Sequence, residues 1–255
     1  LLASIKNMYK TRIYQNSKLT LNTIIRLSED AFGHTIRVLR LIEGDTIALF
    51  NGNNSIQYLA KLVEVNKKHA SIEVLSCENI ENESPINIHL GQGISRGDRM
   101  DFVLQKSVEL GVNKITPLFT ERCGVKLSSD RLAKKREQWQ KIVISACEQS
   151  GRCIVPEVAL PISLQEWLAQ ESNALKLNLH PKAKHSIMTL PIDNEKKAQR
   201  IRLLIGPEGG LNDDEIIEAN KANFQDVLLG PRVLRTETAA LTAITAIQCR
   251  FGDLI

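Results

Sequence analysis

From Arg12 to about Leu75 the chain alternates short apolar runs with turn residues. HTIRVLRL (34–41) leads to Glu43-Gly44-Asp45, TIALF (46–50) to Asn51-Gly52-Asn53-Asn54, and SIQYLAKLVEV (55–65) to ASIEVL (70–75). Alternation of period two over such short runs predicts strands. Asn-Gly between two of them predicts a hairpin, whose type I′ turn needs positive φ at both central residues. Four or five short strands predict a small barrel or sandwich. ENIENESP (78–85) has no apolar pattern and ends in proline, so it reads as the linker.

After Pro85 the rhythm changes to strand, helix, strand, helix. INIHLGQ (86–92) precedes DRMDFVLQKSVEL (98–110), and KITPLF (114–119) precedes DRLAKKREQWQKIVISACEQ (130–149). Met100, Val103, Leu104, Ser107 and Val108 fall on one face of a helix that Gly111 can end. IVPEV, SLQEWLAQ, ALKLNLH, RLLIGP, DDEIIEANKANF, DVLLG and TETAALTAITAIQCRF continue the alternation. The pattern predicts an α/β domain with a mostly parallel sheet covered by helices on both faces. The last helix is apolar nearly all round, as a helix in a core or at a subunit interface would be.

Composition changes this picture little. With 255 residues, 43% hydrophobic and 24% charged, the chain is an ordinary globular one with ample material for a core. No apolar stretch approaches the roughly 18 to 20 residues of a spanning helix, and LLASIKNMYK (1–10) lacks a signal peptide's long apolar region, so a cytoplasmic protein without membrane contact is expected. Cys77, Cys123, Cys147, Cys153 and Cys249 form no C-x-x-C pair, and the five histidines form no H-E-x-x-H helix, so reduced thiols and no metal are expected. Cys147 and Cys153 read as buried packing residues.

Charge is more informative in its distribution. Residues 1–76 hold ten Lys and Arg against six Asp and Glu, so they carry the whole net charge of +4. A basic first third suits phosphate contact, because cations that neutralise phosphates release condensed counterions. A solvated surface with a few extra lysines explains the same numbers. Arg12, Arg37, Arg40, Lys67 and Lys68 are the candidate contacts, with Arg96 and Arg99 extending the track into the second domain.

In open α/β sheets ligands bind beyond the carboxyl ends of strands. Three such ends are unusual: LNLHP (177–181), LLIGPEGGL (203–211) and LLGPRVLRTETA (228–239). Gly206-Pro207-Glu208-Gly209-Gly210 matches neither G-x-G-x-x-G nor the P-loop, and taken alone it reads as a tight turn into a helix capped by Asn212. The second Gly-Pro, at Gly230-Pro231, shifts the reading. Two such loops at adjacent strand ends can form a pocket whose backbone groups read a small neutral or cationic ligand. Arg232 and Arg235 can fix a phosphate or oxyanion, or pair on the surface with Asp226 or Glu237. Glu237 is also what a helix first turn favours.

At these residues the sequence resembles the small-subunit (16S) ribosomal RNA uridine N3-methyltransferases of the knotted SPOUT superfamily. The similarity runs from Arg12-Ile13-Tyr14 to Phe251-Gly252-Asp253. It rests on HTIRVLR (34–40), HLGQ and SRG within 89–97, QKSVELGV (105–112), TPLFTERCGVKL (116–127), LNLHP, IGPEGGL and LGPRVLRTETAALTA (229–243). Residues 1–11 precede the family's usual opening, and Met8 is a candidate initiator.

The resemblance implies a PUA-like β-barrel over 8–78 for RNA contact and an α/β domain with a deep trefoil knot over 84–255, working as a homodimer. Threaded chains are rare, and patterning alone predicts an ordinary doubly wound sheet. The resemblance places S-adenosylmethionine in the knot, at Leu179, His180 and Pro181, at Ile205, Gly206, Pro207, Glu208, Gly209 and Gly210, and at Leu229, Gly230, Leu234, Arg235 and Thr236. Its substrate is ribosomal RNA of the small subunit, free or in the assembled particle.

Uridine N3 carries a proton, so a base must remove it or a cation must stabilise the charge on the flanking carbonyl oxygens. Arg232, Arg235 and Glu237 are the catalytic candidates. N3 lies on the pairing edge, so the target must be unpaired or flipped out. Two other readings are a catalytically silent RNA-binding ribosome-assembly protein and a hydrolase built on His180 or a cysteine. Neither accounts for the paired Gly-Pro loops. A methyltransferase acting on another base or on ribose would keep the same loops, and only the resemblance favours uridine N3.

Overall fold

The computed structural model describes residues 11–124, 129–192 and 199–254. Met8, Lys6 and Lys10, and the last three residues of the 116–127 motif, lie outside them. The chain divides into two compact units, Leu1–Glu83 with Cys147–Val155, and Ser84–Ala146 with Pro156–Ile255.

The first unit is built on a five-stranded sheet. Strands β1 (Arg12–Tyr14), β2 (Ile24–Arg26), β3 (Thr46–Phe50), β4 (Ile56–Val65) and β5 (Ala70–Asn79) lie in the order β1-β3-β4-β5-β2. β1 runs parallel to β3, and the other pairs are antiparallel. Ile13, Ile47, Leu49, Leu62, Ile72 and Val74 form its core with Phe32.

The structure corrects three expectations. HTIRVLRL is no strand: Glu29–Phe32 forms a short helix, α1, capped by the Ser28 hydroxyl, and Gly33–Val38 continues it as a π-helical turn. Ala31, Phe32 and Thr35 are buried while Val38 is 69% exposed, so burial follows the helical period and the apparent alternation is incidental. The β3–β4 hairpin exists, yet among its turn residues only Gly52 has positive φ, so its turn is not type I′. The connection is longer, with the Asn51 and Asn54 side chains accepting from the N–H groups of Asn53 and Ile56. β5 also runs on to Asn79, into the stretch read as linker.

The second unit carries an eight-stranded sheet. Its elements are β6 (Asn87–Gly93), α2 (Asp98–Glu109), β7 (Lys114–Phe119), α3 (Ser129–Ser150), β8 (Glu157–Val158), β9 (Ile162–Ser163) and α4 (Leu164–Leu168), then β10 (Leu175–Leu179), β11 (His185–Ser186), β12 (Arg200–Ile205), α5 (Asp213–Lys221), β13 (Gln225–Leu228) and α6 (Thr236–Phe251). The order is β11-β13-β10-β12-β6-β7-β8, with β9 beside β7, and every described pairing is parallel. Parallel strands covered on both faces read as near-continuous apolar runs, as β12 does. The α2 face at Met100, Val103, Leu104, Ser107 and Val108 is buried, and Gly111 ends it with φ 87. Asn212 and Glu215 form a capping box on α5.

One charge interrupts the interior of β12. Arg202 is only 4% exposed, lies 4.0 Å over the Trp167 ring and donates to the carbonyls of Trp167 and Gln170. Burial pushes its guanidinium down to about 10, still cationic at neutral pH. His89 meets the same indole edge-on, and its Nε2 lies 2.8 Å from the Thr116 hydroxyl. Burial, then the charges of Arg202 and Lys114, push His89 down to about 4.

The unfolded chain therefore takes up this proton near pH 6.5 while the folded chain refuses it until about pH 4, so His89 lowers stability as pH falls through that window. Denaturant unfolding at pH 7, 5.5 and 4.5 should show a smaller acid loss in His89→Gln than in the unaltered protein. Equal losses would contradict the assignment.

Candidate functional site

The carboxyl ends of β10, β12 and β13 converge, and each is held by contacts the sequence motifs do not display. At β10, Asn178 is fully buried and donates to Asp226 Oδ1 on β13 at 2.8 Å. The next turn is tied by His180 N–H to the Val227 carbonyl at 2.9 Å, and His180 Nδ1 lies 3.7 Å from Asp226 Oδ2. At β12, Gly210 N–H closes on the Pro207 carbonyl at 2.9 Å, and Gly210 has φ 68, where glycine alone is unstrained.

The loop after β12 is joined to the start of α6 by a side-chain relay. Gln92, at the end of β6 and fully buried, donates to the Thr236 hydroxyl at 3.0 Å. That hydroxyl donates to the Gly206 carbonyl at 2.6 Å. A Cβ on Gly93 would stand 2.5 Å from Pro207 N, so strand and loop touch backbone to backbone.

Between these loops lies a cleft of about 400 Å³. Leu179, His180, Pro181, Ile205, Gly206, Pro207, Glu208, Gly209, Gly210, Leu229, Gly230, Leu234 and Thr236 line it, so of the fourteen expected cofactor residues only Arg235 stands outside the lining. Of the three catalytic candidates, Arg232 lines the cleft. Arg235 is exposed beside it, and Glu237 is half-buried, its Oε2 enclosed and without a hydrogen-bond partner among the described residues.

Pattern reading missed Gln92, Gly93 and Arg122, the last of which also lines the cleft. Gln92 and Gly93 lie at the end of an apolar strand, the only local signal for them. A larger hollow of about 750 Å³ opens beyond β7 and β9, lined by Glu121, Asp214, Glu215 and Glu218 and, among the described residues, by no basic one. Glu215 is spent on the N–H groups of Glu121 and Asn212. The strand-end cleft, with open backbone, apolar walls and side chains of both charges, is the better ligand site.

The expected RNA contacts fall in both units. Arg37 and Arg40 are exposed after α1, and Lys67 and Lys68 are exposed in the β4–β5 turn. Arg12 is different. Its guanidinium lies 4.9 Å over the Phe50 ring and donates to the Arg152 carbonyl and Cys153 Sγ, which commits it to packing. In the second unit Arg96 and Arg99 are exposed at the start of α2.

Residues 82–248 match the family described as RNA methyltransferase domain, and residues 27–75 match the RNA methyltransferase PUA domain. The parallel sheet and strand-end cleft are thus those of an RNA methyltransferase domain, preceded by a PUA-like domain. Among relatives, the Ribosomal RNA small subunit methyltransferase E of Buchnera aphidicola subsp. Schizaphis graminum is 41% identical over 244 residues, 95% of this chain and 97% of its own length. A methyltransferase from Legionella pneumophila, solved with its bound cofactor SAM, is 43% identical with a TM-score of 0.91, covering 96% of this chain and 99% of that one. The Ribosomal RNA small subunit methyltransferase E from Neisseria gonorrhoeae, bound to S-adenosyl methionine, is 41% identical with a TM-score of 0.87 over the same shares. The chain belongs to the family of the small-subunit ribosomal RNA methyltransferases E.

If β6 and the relay set the shape of the loop, Gly93→Ala must displace it. Amide exchange over 206–211 should speed up about ten-fold or more, corresponding to an overpacking cost of about 1.4 kcal/mol. Unchanged exchange in a folded variant would show that the contact does not hold the loop.

Proposed function

We propose that this chain transfers the methyl group of S-adenosylmethionine to N3 of a uridine in small-subunit ribosomal RNA. The observation that carries the reading is the strand-end cleft, in a chain 41% identical to a Ribosomal RNA small subunit methyltransferase E.

The cleft suits that donor. An added Cβ on Gly210 or Gly230 would meet nothing within 4 Å, so open space lies over two stretches of backbone. Leu179, Ile205, Leu229 and Leu234 give apolar walls, and Asp213 and Glu208 stand in the lining with Arg122, Lys182 and Arg232, charges of both signs for a donor that carries a sulfonium, an ammonium and a carboxylate. Residues 179–181, 205–210 and 229–236 would hold it. When bound, it supplies an electrophilic methyl on a positive sulfur.

What remains for the protein is alignment, exclusion of water and handling of the N3 proton. Arg232 on the cleft wall, with Arg235 beside it, stabilises negative charge on the uracil oxygens. Glu237 takes the proton. A buried carboxylate oxygen without a partner is costly, and a role in proton transfer accounts for its retention. Arg37, Arg40, Lys67 and Lys68, with Arg96 and Arg99, meet the RNA backbone around an unpaired target base. Arg12 serves packing.

The reading carries with it the family's trefoil knot at the three loops, a homodimer and a place in the cytoplasm beside the assembling small subunit. Among the described residues no helix is long and apolar enough to cross a membrane, and none form a metal-holding group.

Small subunits from cells lacking this protein, incubated with it and labelled S-adenosylmethionine, should yield N3-methyluridine on nucleoside mass spectrometry. Another methylated nucleoside would overturn the substrate, and absence of label would overturn the activity. In single-turnover reactions Glu237→Gln should be slower by about 100-fold or more at unchanged cofactor affinity. An unchanged rate would remove Glu237 as base.

A further inference from the structure

Three arginines converge on the loop that follows β12. Arg96 and Arg99 flank Gly97, which opens α2 at φ 56 without a side-chain cap. The approach to this helix is fixed instead from far along the chain. Glu208 Oε1 accepts the Arg96 backbone N–H at 2.8 Å and Arg99 Nη1 at 3.2 Å. Burial alone would raise the Glu208 carboxyl, but these two donors and its own N–H outweigh that and hold it below the usual range. Arg122 grips the neighbouring residues, donating to the carbonyls of Gly209 and Leu211 at 3.0 and 3.3 Å. Its stem lies 3.0 Å from where a Cβ on Gly209 would stand.

Glu208 therefore has two faces. Along the backbone it is part of the cleft lining, and through its carboxylate it holds the Arg99 guanidinium and the backbone N–H of Arg96. Arg99 spends Nη1 on this contact while its side chain stays 47% exposed, accessible to an anion.

We infer that Glu208 is a positioning residue that transmits occupancy of the cleft to Arg96 and Arg99, so that filling the cleft raises affinity for RNA. The inference rests on the reading above, in which the cleft takes S-adenosylmethionine and RNA crosses the start of α2. The loop is tied at Gly206 and Leu211, and the glycines beside Glu208 leave the stretch between these ties small adjustments that an occupant of the cleft can narrow. A ligand that fixes the loop fixes the carboxylate and narrows the orientations of Arg99, so less ordering is left for the RNA to impose. Coupling of this kind is reciprocal, and bound RNA tightens the cofactor by the same factor.

The test uses the full chain, an unmodified small-subunit ribosomal RNA transcript, and sinefungin, an unreactive amine analogue of the cofactor. Saturating sinefungin should tighten RNA binding about five-fold or more in the unaltered protein. In Glu208→Gln and in Arg99→Met the gain should fall below about two-fold, and the double variant should lose no more than either single one, as expected for two partners in one contact. Arg99→Met should still bind sinefungin normally. If Glu208→Gln binds both ligands more weakly yet keeps the five-fold gain, Glu208 is structural only and the inference fails. The inference also fails if sinefungin binds the unaltered protein without changing RNA affinity. Absence of sinefungin binding to the unaltered protein alone would instead remove the cofactor reading, and this inference with it.

Discussion

The hydroxyl of Thr236 is the contact on which the cleft depends. It accepts from Gln92 and donates to the Gly206 carbonyl, so one oxygen joins the end of β6, the loop after β12 and the first residue of α6. Most buried polar groups are hydrogen-bonded, and this pairing joins three segments far apart in sequence. The bare backbone of Gly93 against Pro207 makes the contact possible, because any side chain there would force the loop away. With the loop fixed, Gly210 and Gly230 present open backbone to the same space, and Arg232 stands on its wall.

Much of this was legible in the sequence, for physical reasons that differ by element. The α2 face and its stop at Gly111 follow from helical spacing and from glycine's tolerance of positive φ, both local properties. The two Gly-Pro loops were visible because turn chemistry is written in residue type. HTIRVLRL was misread because a short run of β-branched and apolar residues satisfies periods of two and four alike, and the capping Ser28 with Glu29 and Asp30, which decides between them, lies just upstream. Gln92 carries no local signature, since its role depends on Thr236, 144 positions away. The return of Cys147–Val155 to the first unit is equally non-local, secured by contacts such as Arg152 with Glu83.

Charge is divided between structural and available cations in a way that composition hides. Arg12 and Arg202 look like ordinary basic residues, yet each lies over an aromatic ring and donates to backbone carbonyls. Arg37, Arg40, Lys67 and Lys68 keep their charge exposed, which is what phosphate contact requires. Arg12, half-buried and spent on these contacts, adds less exposed charge to the first third than its place in the sequence suggests.

The most direct measurement is a crystal structure of this protein grown with saturating S-adenosylmethionine. Density for the cofactor is expected among residues 179–181, 205–210 and 229–236, with the Gln92, Thr236 and Gly206 relay intact behind it. Cofactor density in the acidic hollow beyond β7 and β9, or an empty strand-end cleft under those conditions, would contradict it.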